Sequence, residues 1–218
     1  MGSYLVIGMG RFGSAVATEL HNMKHDVLVV DNHEENITDI VNHVTDVIIG
    51  DVKDETVLRS LGVKNFDCVI VSIADAMEDS ILATIMLKEM GAEKIVCKAQ
   101  NEWHSKILSQ IGADKIIRPE YDMGKRVAHS LVQKNIIDYL DLSPDYSILE
   151  MTTPVNWIDK SISKIDLRRK YGVTLISVRN TETDVVNFSP NADTVLCKCD
   201  ILTVLGSKRK LAVVTNLQ

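Results

Sequence analysis

Short apolar runs alternate with amphipathic stretches over the first half of the chain. The runs are rich in β-branched residues and are continuous, which is typical of strands covered on both faces of a parallel sheet. They predict six strands, at residues 4–7, 27–30, 47–49, 68–71, 95–97 and 115–117. Helices are predicted between them, near residues 12–23, 34–43, 54–61, 78–90 and 103–111. This alternation predicts an α/β fold with a Rossmann-like, doubly wound parallel sheet.

The pattern changes after the sixth predicted strand. A long helix is predicted near residues 122–138, and "DLSPDYS" predicts a hinge at which Pro144 breaks that helix. The remainder, about residues 147–218, contains four short strand-like runs and a helix near "KIDLRRKYG". The sequence therefore predicts a crossover helix followed by a small α+β domain at the C-terminal end.

One predicted helix, "DSILATIMLKEM", has an apolar surface wider than one sheet contact requires. Its apolar residues are Ile81, Leu82, Ile85, Met86, Leu87 and Met90. A helix of this kind is usually buried on more than one side. We expect the extra face to pack against a second copy of the chain.

Charge and cysteine content narrow the classes of function. The net charge of −6 argues against a nucleic-acid partner, which needs clustered Lys and Arg. None of the four cysteines has zinc or redox spacing. Cys68 and Cys97 are predicted core residues of strands, and Cys197 and Cys199 are expected as reduced thiols on one face of a strand. No signal peptide or membrane-spanning run is visible, so a cytoplasmic protein is expected.

A glycine loop joins the first predicted strand to the first predicted helix. In "GMGRFG", Gly8, Gly10 and Gly13 have G-x-G-x-x-G spacing. The first glycine permits a tight turn, the second lets a pyrophosphate approach the backbone, and the third lets the helix pack close to the sheet. The helix N-terminus favours an anion. The spacing alone is weak evidence, but between a strand and a helix it predicts a nucleotide site.

Acidic residues follow the second and third predicted strands. Asp31 ends the second strand, where a carboxylate accepts hydrogen bonds from ribose hydroxyls. Because a carboxylate repels a 2′-phosphate, Asp31 favours NAD, ATP or ADP over NADP. Asn32 is a further candidate for a ribose contact. Gly50 and Asp51 end the third strand beside the expected adenine edge, although Asp51 is equally a candidate turn or cap residue.

No catalytic constellation is visible in the sequence. A dehydrogenase needs a second domain that supplies an acid or base beside the nicotinamide, but no histidine follows residue 147. The histidines, including His104 and His129, are expected on surface helices or turns. Binding without turnover is therefore predicted, and the chain is not expected to be an enzyme. The alternative is a small NAD-dependent oxidoreductase of the precorrin-2 dehydrogenase type.

Several longer segments resemble one family. "IGDVKDETVLRSLGV", "KAQNEWHSKILSQIGADKIIRPEYDMGKRVA" and "DLRRKYGV", together with the glycine loop, are similar to the cytosolic regulatory subunits of Ktr/Trk potassium transporters. The second segment discriminates far better than the glycine loop. The resemblance implies an RCK N domain at residues 1–121, a crossover helix and hinge at 122–146, and an RCK C (TrkA-C) domain at 147–218.

The resemblance implies a regulatory function as well. Members of this family form dimers that assemble into an eight-subunit ring beneath a potassium-translocating membrane subunit of the KtrB, KtrD or TrkH type. ATP and ADP compete for the glycine-loop site, ATP favours the active ring, and NAD(H) is a further ligand. The resemblance thus implies a cytoplasmic gating subunit, held peripherally at the inner face of the cell membrane by its partner.

The resemblance gives roles to residues of the first domain. Arg11 matches an arginine that reaches the terminal phosphate of ATP in the neighbouring subunit, and Lys98 matches a lysine near the phosphates. Glu120 matches a glutamate that binds a cation such as Mg²⁺. A solvated amine for Lys98 and a helix cap for Glu120 stay open as alternatives. The predicted nucleotide-binding residues are Gly8, Met9, Gly10, Arg11, Phe12, Gly13, Asp31, Asn32, Gly50, Asp51, Ile73, Ala74, Lys98 and Glu120.

Some relatives bind cyclic di-AMP between two C-terminal domains. The matching segment here is "ISKIDLRRKYGV", in which Arg168 is the candidate for the ligand's phosphates. An ordinary surface charge is the alternative for this arginine. The candidate residues are Ile162, Ile165, Asp166, Arg168, Ile176, Asn187 and Pro190.

Overall fold

The computed structural model describes residues 1–73, 76–132 and 135–217. The chain divides into two compact units, Met1–Pro119 and Glu120–Gln218. Each unit has its own sheet and its own buried core. Ala74, one of the predicted nucleotide-binding residues, lies outside the described residues.

The first unit contains a six-stranded parallel sheet with the strand order β3-β2-β1-β4-β5-β6. Its strands are β1 (Ser3–Ile7), β2 (Asp26–Asp31), β3 (Asp46–Ile49), β4 (Cys68–Val71), β5 (Ile95–Lys98) and β6 (Lys115–Ile117). Its helices are α1 (Arg11–Asn22), α2 (Glu34–Thr38), α3 (Glu55–Ser60), α4 (Met77–Glu89) and α5 (Glu102–Gln110). The predicted strands and helices are confirmed, except that α2 ends early and a 3₁₀ turn, Val41–His43, follows it.

Both faces of this sheet are covered by apolar packing. Leu5 and Ile7 of β1 belong to a core cluster that includes residues of α3, α4 and α5. Val6, between them, belongs to a second cluster with residues of α1 and α2. Neighbouring residues of one strand therefore enter two different cores, which explains why the strands are continuous apolar runs.

The ends of several helices follow from local backbone chemistry. Asp54 caps α3, because its Oδ1 accepts the backbone N–H of Thr56 at 2.9 Å. Gly62, Gly91 and Gly112 follow helices with φ angles of 64°, 78° and 104°, the left-handed conformation that commonly ends a helix.

The second unit contains a five-stranded sheet with the order β10-β9-β11-β8-β7, in which neighbouring strands pair antiparallel. Its strands are β7 (Ile136–Asp141), β8 (Tyr146–Thr152), β9 (Thr174–Asn180), β10 (Val186–Asn187) and β11 (Asp200–Ser207). Its helices are α6 (Pro119–Val132, which begins at the boundary of the units), α7 (Ile162–Ile165), α8 (Leu167–Lys170) and α9 (Lys208–Thr215). The predicted α+β class of this domain is confirmed.

The prediction of one helix over residues 122–138 is wrong at its C-terminal end. Residues Ile136–Asp141 form strand β7, which pairs with β8. "DLSPDYS" is accordingly the turn of a β-hairpin, in which the N–H groups of Leu142 and Ser143 donate to the carbonyl oxygen of Tyr146. Pairing with β8 decides the conformation of this segment, since its apolar spacing suits a helix or a strand.

Candidate functional site

A pocket of about 170 Å³ opens in the first unit at the carboxyl ends of β1, β2 and β4. The strand order reverses beside β1, which is the position where open α/β sheets bind ligands. The pocket is lined by Ile7, Gly8, Gly10, Val30, Asp31, Asn32, His33, Asn36, Gly50, Asp51, Val52, Ser72, Ile73, Ala76 and Asp79.

The three glycines of the loop have different surroundings. Gly8 has a φ of +91°, and a Cβ there would lie 3.0 Å from the carbonyl carbon of Ser72. A Cβ on Gly13 would lie closer than 3.0 Å to the carbonyl oxygen of Gly8. A Cβ on Gly10 would meet no heavy atom within 4 Å among the described residues. The fold therefore requires Gly8 and Gly13, whereas Gly10 leaves open space in the pocket for a ligand.

Helix α1 begins at the wall of this pocket. Gly10 is its N-cap residue, and the first turn contains no acidic side chain. The first N–H groups of a helix lack partners within the helix and carry the positive end of its dipole. The loop and helix together form an environment that suits a phosphate group.

Asp31 is the buried carboxylate of the pocket, with 8% of its surface exposed. Its Oδ2 accepts the N–H of Met9 at 2.5 Å. Its Oδ1 accepts the N–H of His33 at 2.8 Å and the Nδ2 of Asn36 at 3.1 Å. Since two carboxylate oxygens have about four acceptor sites, Asp31 keeps capacity for a sugar hydroxyl.

Asp51 both lines the pocket and shapes the turn after β3. Its Oδ1 accepts the N–H of Lys53 at 2.9 Å, and its backbone oxygen accepts the N–H of Asp54. The Nζ of Lys53 lies 3.6 Å from Asp51 and 3.3 Å from Asp79. A hydrogen bond to Asp79, helped by the charge of Asp51, raises the pKa of Lys53 above its ordinary value. This side of the pocket is therefore charged and suits a polar group.

The structure brings seven of the predicted residues to the pocket. They are Gly8, Gly10, Asp31, Asn32, Gly50, Asp51 and Ile73. The side chain of Met9 is buried in the core, so Met9 contributes its backbone N–H to the loop. Gly13 packs against Gly8 beneath the loop.

Four other predicted residues lie away from the pocket wall. Arg11 is the exposed first residue of α1, and Phe12 follows it half-buried. Lys98 ends β5 and is 8% exposed. Glu120 is the second residue of α6 and belongs to the second unit.

Sequence reasoning missed several residues of the pocket: His33, Asn36, Val52, Ser72, Ala76 and Asp79. Ser72 directly follows β4, and the sequence pattern that placed this strand was a usable signal. Asn36 and Asp79 lie on the helices that follow β2 and β4. Their direction depends on helix packing, which the sequence does not display.

The cyclic di-AMP candidates occupy different environments in the second unit. Ile165 is 4% exposed and belongs to the core, whereas Arg168 is exposed on α8. Asp166 has a φ of +54° between α7 and α8. The others are Ile162 at the start of α7, Ile176 in β9, Asn187 in β10 and Pro190 in the loop that follows.

Two further expectations are wrong. Cys197 and Cys199 are joined by a disulfide and lie in a turn before β11, not on a strand. The turn forms because Cys197 N–H donates to the Oδ2 of Asp200 at 2.8 Å.

His104, which was expected on the surface, is fully buried, and burial lowers its pKa. It shares a face of α5 with the buried Leu108.

Asp141 is the centre of a charged network in the second unit. Lys208 and Lys125 lie 2.9 Å and 3.1 Å from its carboxylate, and Ser147 donates to it at 2.9 Å. Burial works to raise the pKa of Asp141, but the hydrogen bonds from Lys208, Lys125, Ser147 and Tyr139 outweigh it and hold the pKa below its usual range. The ionised carboxylate therefore joins α6 and α9 to strand β7.

Comparison with known proteins identifies the family. A TrkA-N domain model matches residues 4–119, and a TrkA-C domain model matches residues 147–218. The chain belongs to the TrkA-N/TrkA-C family. It is 40% identical over 204 residues to the Ktr system potassium uptake protein C of Bacillus subtilis. That alignment covers 94% of this chain and 91% of the relative.

Two more comparisons support this assignment. The Ktr system potassium uptake protein A of Bacillus subtilis is 40% identical over 208 residues, which is 95% of this chain and 93% of that protein. The solved GsuK channel bound to NAD superposes with a TM-score of 0.69 at 19% identity. The alignment covers 99% of this chain but 39% of that channel, so this likeness shows the RCK fold alone.

These comparisons confirm the family resemblance that the sequence segments indicated. Both Bacillus subtilis relatives are potassium uptake proteins, and neither supports the dehydrogenase alternative. Among the described residues, no helix is long and apolar enough to span a membrane.

Proposed function

We propose that this TrkA-N/TrkA-C chain is the nucleotide-sensing, gating subunit of a bacterial potassium uptake system. ATP and ADP compete for the pocket of the first unit, and the bound nucleotide sets the potassium flux of a membrane-embedded partner of the KtrB, KtrD or TrkH type. NAD(H) is a further candidate ligand, since the GsuK channel of similar fold has been solved with NAD. The chain acts at the inner face of the membrane through its partner.

The observation that carries this proposal is the pocket at the switch point of the sheet. The open space at Gly10 suits a diphosphate beside the start of α1. The buried Asp31 suits a ribose diol and disfavours a 2′-phosphate. Adenosine diphosphates, dinucleotides and ATP share all of these groups.

Discrimination between ATP and ADP requires a contact to the third phosphate. A ligand shifts a conformational equilibrium only through its differential affinity for the two states. Arg11 is exposed, begins α1, and does not line the pocket of its own chain. This placement supports a contact from Arg11 to a nucleotide held by a neighbouring subunit. Such a charge-assisted contact supplies about 1–3 kcal/mol of coupling per site.

Lys98 and Glu120 complete the proposed phosphate environment. Lys98 lies at the carboxyl end of the sheet, the same edge at which the pocket opens. Glu120 is proposed to hold Mg²⁺ or a similar cation at the dimer interface, because a carboxylate beside phosphates is otherwise repulsive.

Assembly is proposed to proceed through dimers to an eight-subunit ring. Helix α4 leaves Leu82 42% exposed, although the rest of its apolar surface is largely covered. Helix α6 exposes five large apolar residues, Tyr121, Met123, Val127, Leu131 and Val132. These exposed apolar residues on α4 and α6 support contact with further copies of the chain.

The second unit is proposed as a site for cyclic di-AMP, with inhibition as the outcome. Arg168 is exposed and suits a phosphate. Ile162, six residues earlier in the chain, and Ile176, in strand β9 of the same unit, are half-buried. Calorimetry of cyclic di-AMP with the full chain tests this part, and an Arg168→Ala variant is the matched comparison. Absence of binding heat removes this part of the proposal alone.

The test of the main proposal is the Arg11→Ala variant, reconstituted in liposomes with the membrane partner. We expect ADP affinity to stay within about twofold of the wild type and activation by ATP to be lost, since about 1–3 kcal/mol of coupling disappears. Arg59→Ala is the control, because Arg59 is an exposed arginine of the same unit that pairs with Glu55 on α3. Potassium flux that still responds to ATP in Arg11→Ala contradicts the proposal.

A further inference from the structure

The second unit contains a group of metal-binding side chains that the nucleotide function does not use. The Sγ atoms of Cys197 and Cys199 and a carboxylate oxygen of Asp200 lie within 4.8 Å of one another. Two sulfurs and one carboxylate are a ligand set that Zn²⁺ accepts. The two cysteines are half-buried, so an ion can reach them from solvent.

Asp200 is the fixed member of this group. It is 5% exposed, and its Oδ2 accepts the N–H of Cys197 at 2.8 Å. Its Oδ1 lies 3.3 Å from the Nδ2 of Asn180. No lysine or arginine of residues 1–73, 76–132 and 135–217 forms an ion pair with this carboxylate. A buried carboxylate without a cation is costly, so the site favours a positive ion.

The two sulfurs form a disulfide in this structure. Asn180 Nδ2 lies 3.1 Å from the Sγ of Cys199 and 3.6 Å from that of Cys197. A thiol reductant supplies two electrons and two protons, which break the sulfur–sulfur bond and leave two thiols beside Asp200. The two sulfurs and the carboxylate, all within 4.8 Å of one another, then form a set of ligands that a divalent cation can hold together.

We propose that the reduced second unit binds one thiophilic divalent ion of the Zn²⁺ class through Cys197, Cys199 and Asp200. Binding releases the two thiol protons, and a water molecule takes the fourth position. Thiolate ligands select Zn²⁺ over Mg²⁺ and Ca²⁺. Oxidation by a small disulfide removes two electrons, re-forms the sulfur–sulfur bond and releases the ion. Metal binding therefore depends on the redox state of the pair.

The segment that carries Cys197 is bonded to the chain entering α7. The N–H of Leu196 donates to the carbonyl of Lys160 at 3.1 Å, and Leu196 accepts from Asp159 at 2.8 Å. Ile162, the first residue of α7, donates to Thr194 at 3.0 Å. A bound ion would fix the C-terminal end of this segment and so stabilise the second unit against unfolding.

The experiment uses the full chain, free of nucleotide, reduced with a phosphine and titrated with Zn²⁺ or Co²⁺ alone. We expect one ion per chain by calorimetry and a thiolate-to-cobalt charge-transfer band in the near ultraviolet. Cys197→Ser and Cys199→Ser each abolish the band. Asn180→Ala, which removes a neighbour of the ligands, lowers the apparent affinity about 10–100-fold. The disulfide form binds no ion.

Two control variants separate this site from the rest of the chain. Cys68→Ser removes a buried thiol of the first unit and keeps full binding. Glu120→Gln also keeps full Zn²⁺ binding, which distinguishes this site from the cation site proposed beside the nucleotide phosphates. The proposal is overturned if the reduced wild type gives no charge-transfer band, or if the band survives in both Cys197→Ser and Cys199→Ser.

Discussion

Gly10 and Gly13 lie three residues apart in the same loop, and replacing each by alanine should have opposite consequences. A Cβ on Gly10 meets no described atom within 4 Å, and its φ of −66° suits any residue. A Cβ on Gly13 lies closer than 3.0 Å to the backbone carbonyl of Gly8, which cannot rotate away as a side chain can. Gly10→Ala should therefore lose binding, whereas Gly13→Ala should lose stability.

The magnitudes follow from these surroundings. Overpacking against backbone costs about 3 kcal/mol or more at Gly13. The unit of residues Met1–Pro119 has an unfolding entropy of about 0.25 kcal/mol/K, so its melting temperature should fall by about 12 °C. Gly10→Ala weakens an N-cap position, which costs about 1 kcal/mol or less, or about 4 °C. Its methyl group occupies the space of the phosphates, so ADP affinity should fall at least about tenfold, which is about 1.4 kcal/mol.

Thermal unfolding monitored by calorimetry measures the first effect, and titration with ADP measures the second. Both variants are compared with the wild type in the same buffer. Gly10→Ala that binds ADP as tightly as the wild type would show that phosphates do not approach this glycine. If Gly13→Ala has the same melting temperature as the wild type, the requirement for close packing beneath the loop is refuted.

Three other expectations concern single side chains. Asp31→Asn should weaken ADP binding about tenfold, because a charged acceptor is lost. It should also raise the affinity for NADP relative to that for NAD, and an unchanged ratio of these two affinities in calorimetry contradicts this. Because the pKa of Asp141 is held below its usual range, the second unit should lose stability as the pH falls below about 4. Asp141→Asn should reduce this acid dependence in thermal melts, leaving the part that comes from Asp138, whose pKa the hydrogen bond from Arg126 lowers, and Asp145→Asn should leave the dependence unchanged; equal profiles for Asp141→Asn and the wild type refute the network. Burial raises the pKa of Cys97 to about 11 and also raises that of Cys68, so neither should react with iodoacetamide at about pH 8 in the folded protein; mass spectrometry that finds native Cys97 alkylated contradicts this.

The first unit was predictable because its signals are local. The strands β1, β2, β4 and β5 are largely buried, so a short apolar run marks each of them without knowledge of its neighbours. Gly62, Gly91 and Gly112 mark helix ends by a backbone conformation that glycine adopts readily. The same kind of local signal located Gly8 and Gly10, which come after β1, and Asp31, which ends β2.

Long-range pairing limited the prediction of the second unit. Residues Ile136–Asp141 have apolar spacing that suits a helix, but pairing with β8 makes them a strand. The turn at Cys197 depends on Asp200, whose carboxylate accepts a hydrogen bond from the backbone three residues earlier. The burial of His104 had a usable signal, because Leu108 lies four residues further along the same helix face.

The hydrogen bond between Asp31 and the Met9 N–H has a kinetic consequence. One carboxylate holds the backbone of the glycine loop and also faces the space for the sugar, so the loop keeps its binding shape before any ligand arrives. A binding loop that is already ordered loses little conformational entropy when the ligand binds. Exchange of one adenine nucleotide for another should then follow cellular concentrations promptly, without a slow refolding of the loop between occupants.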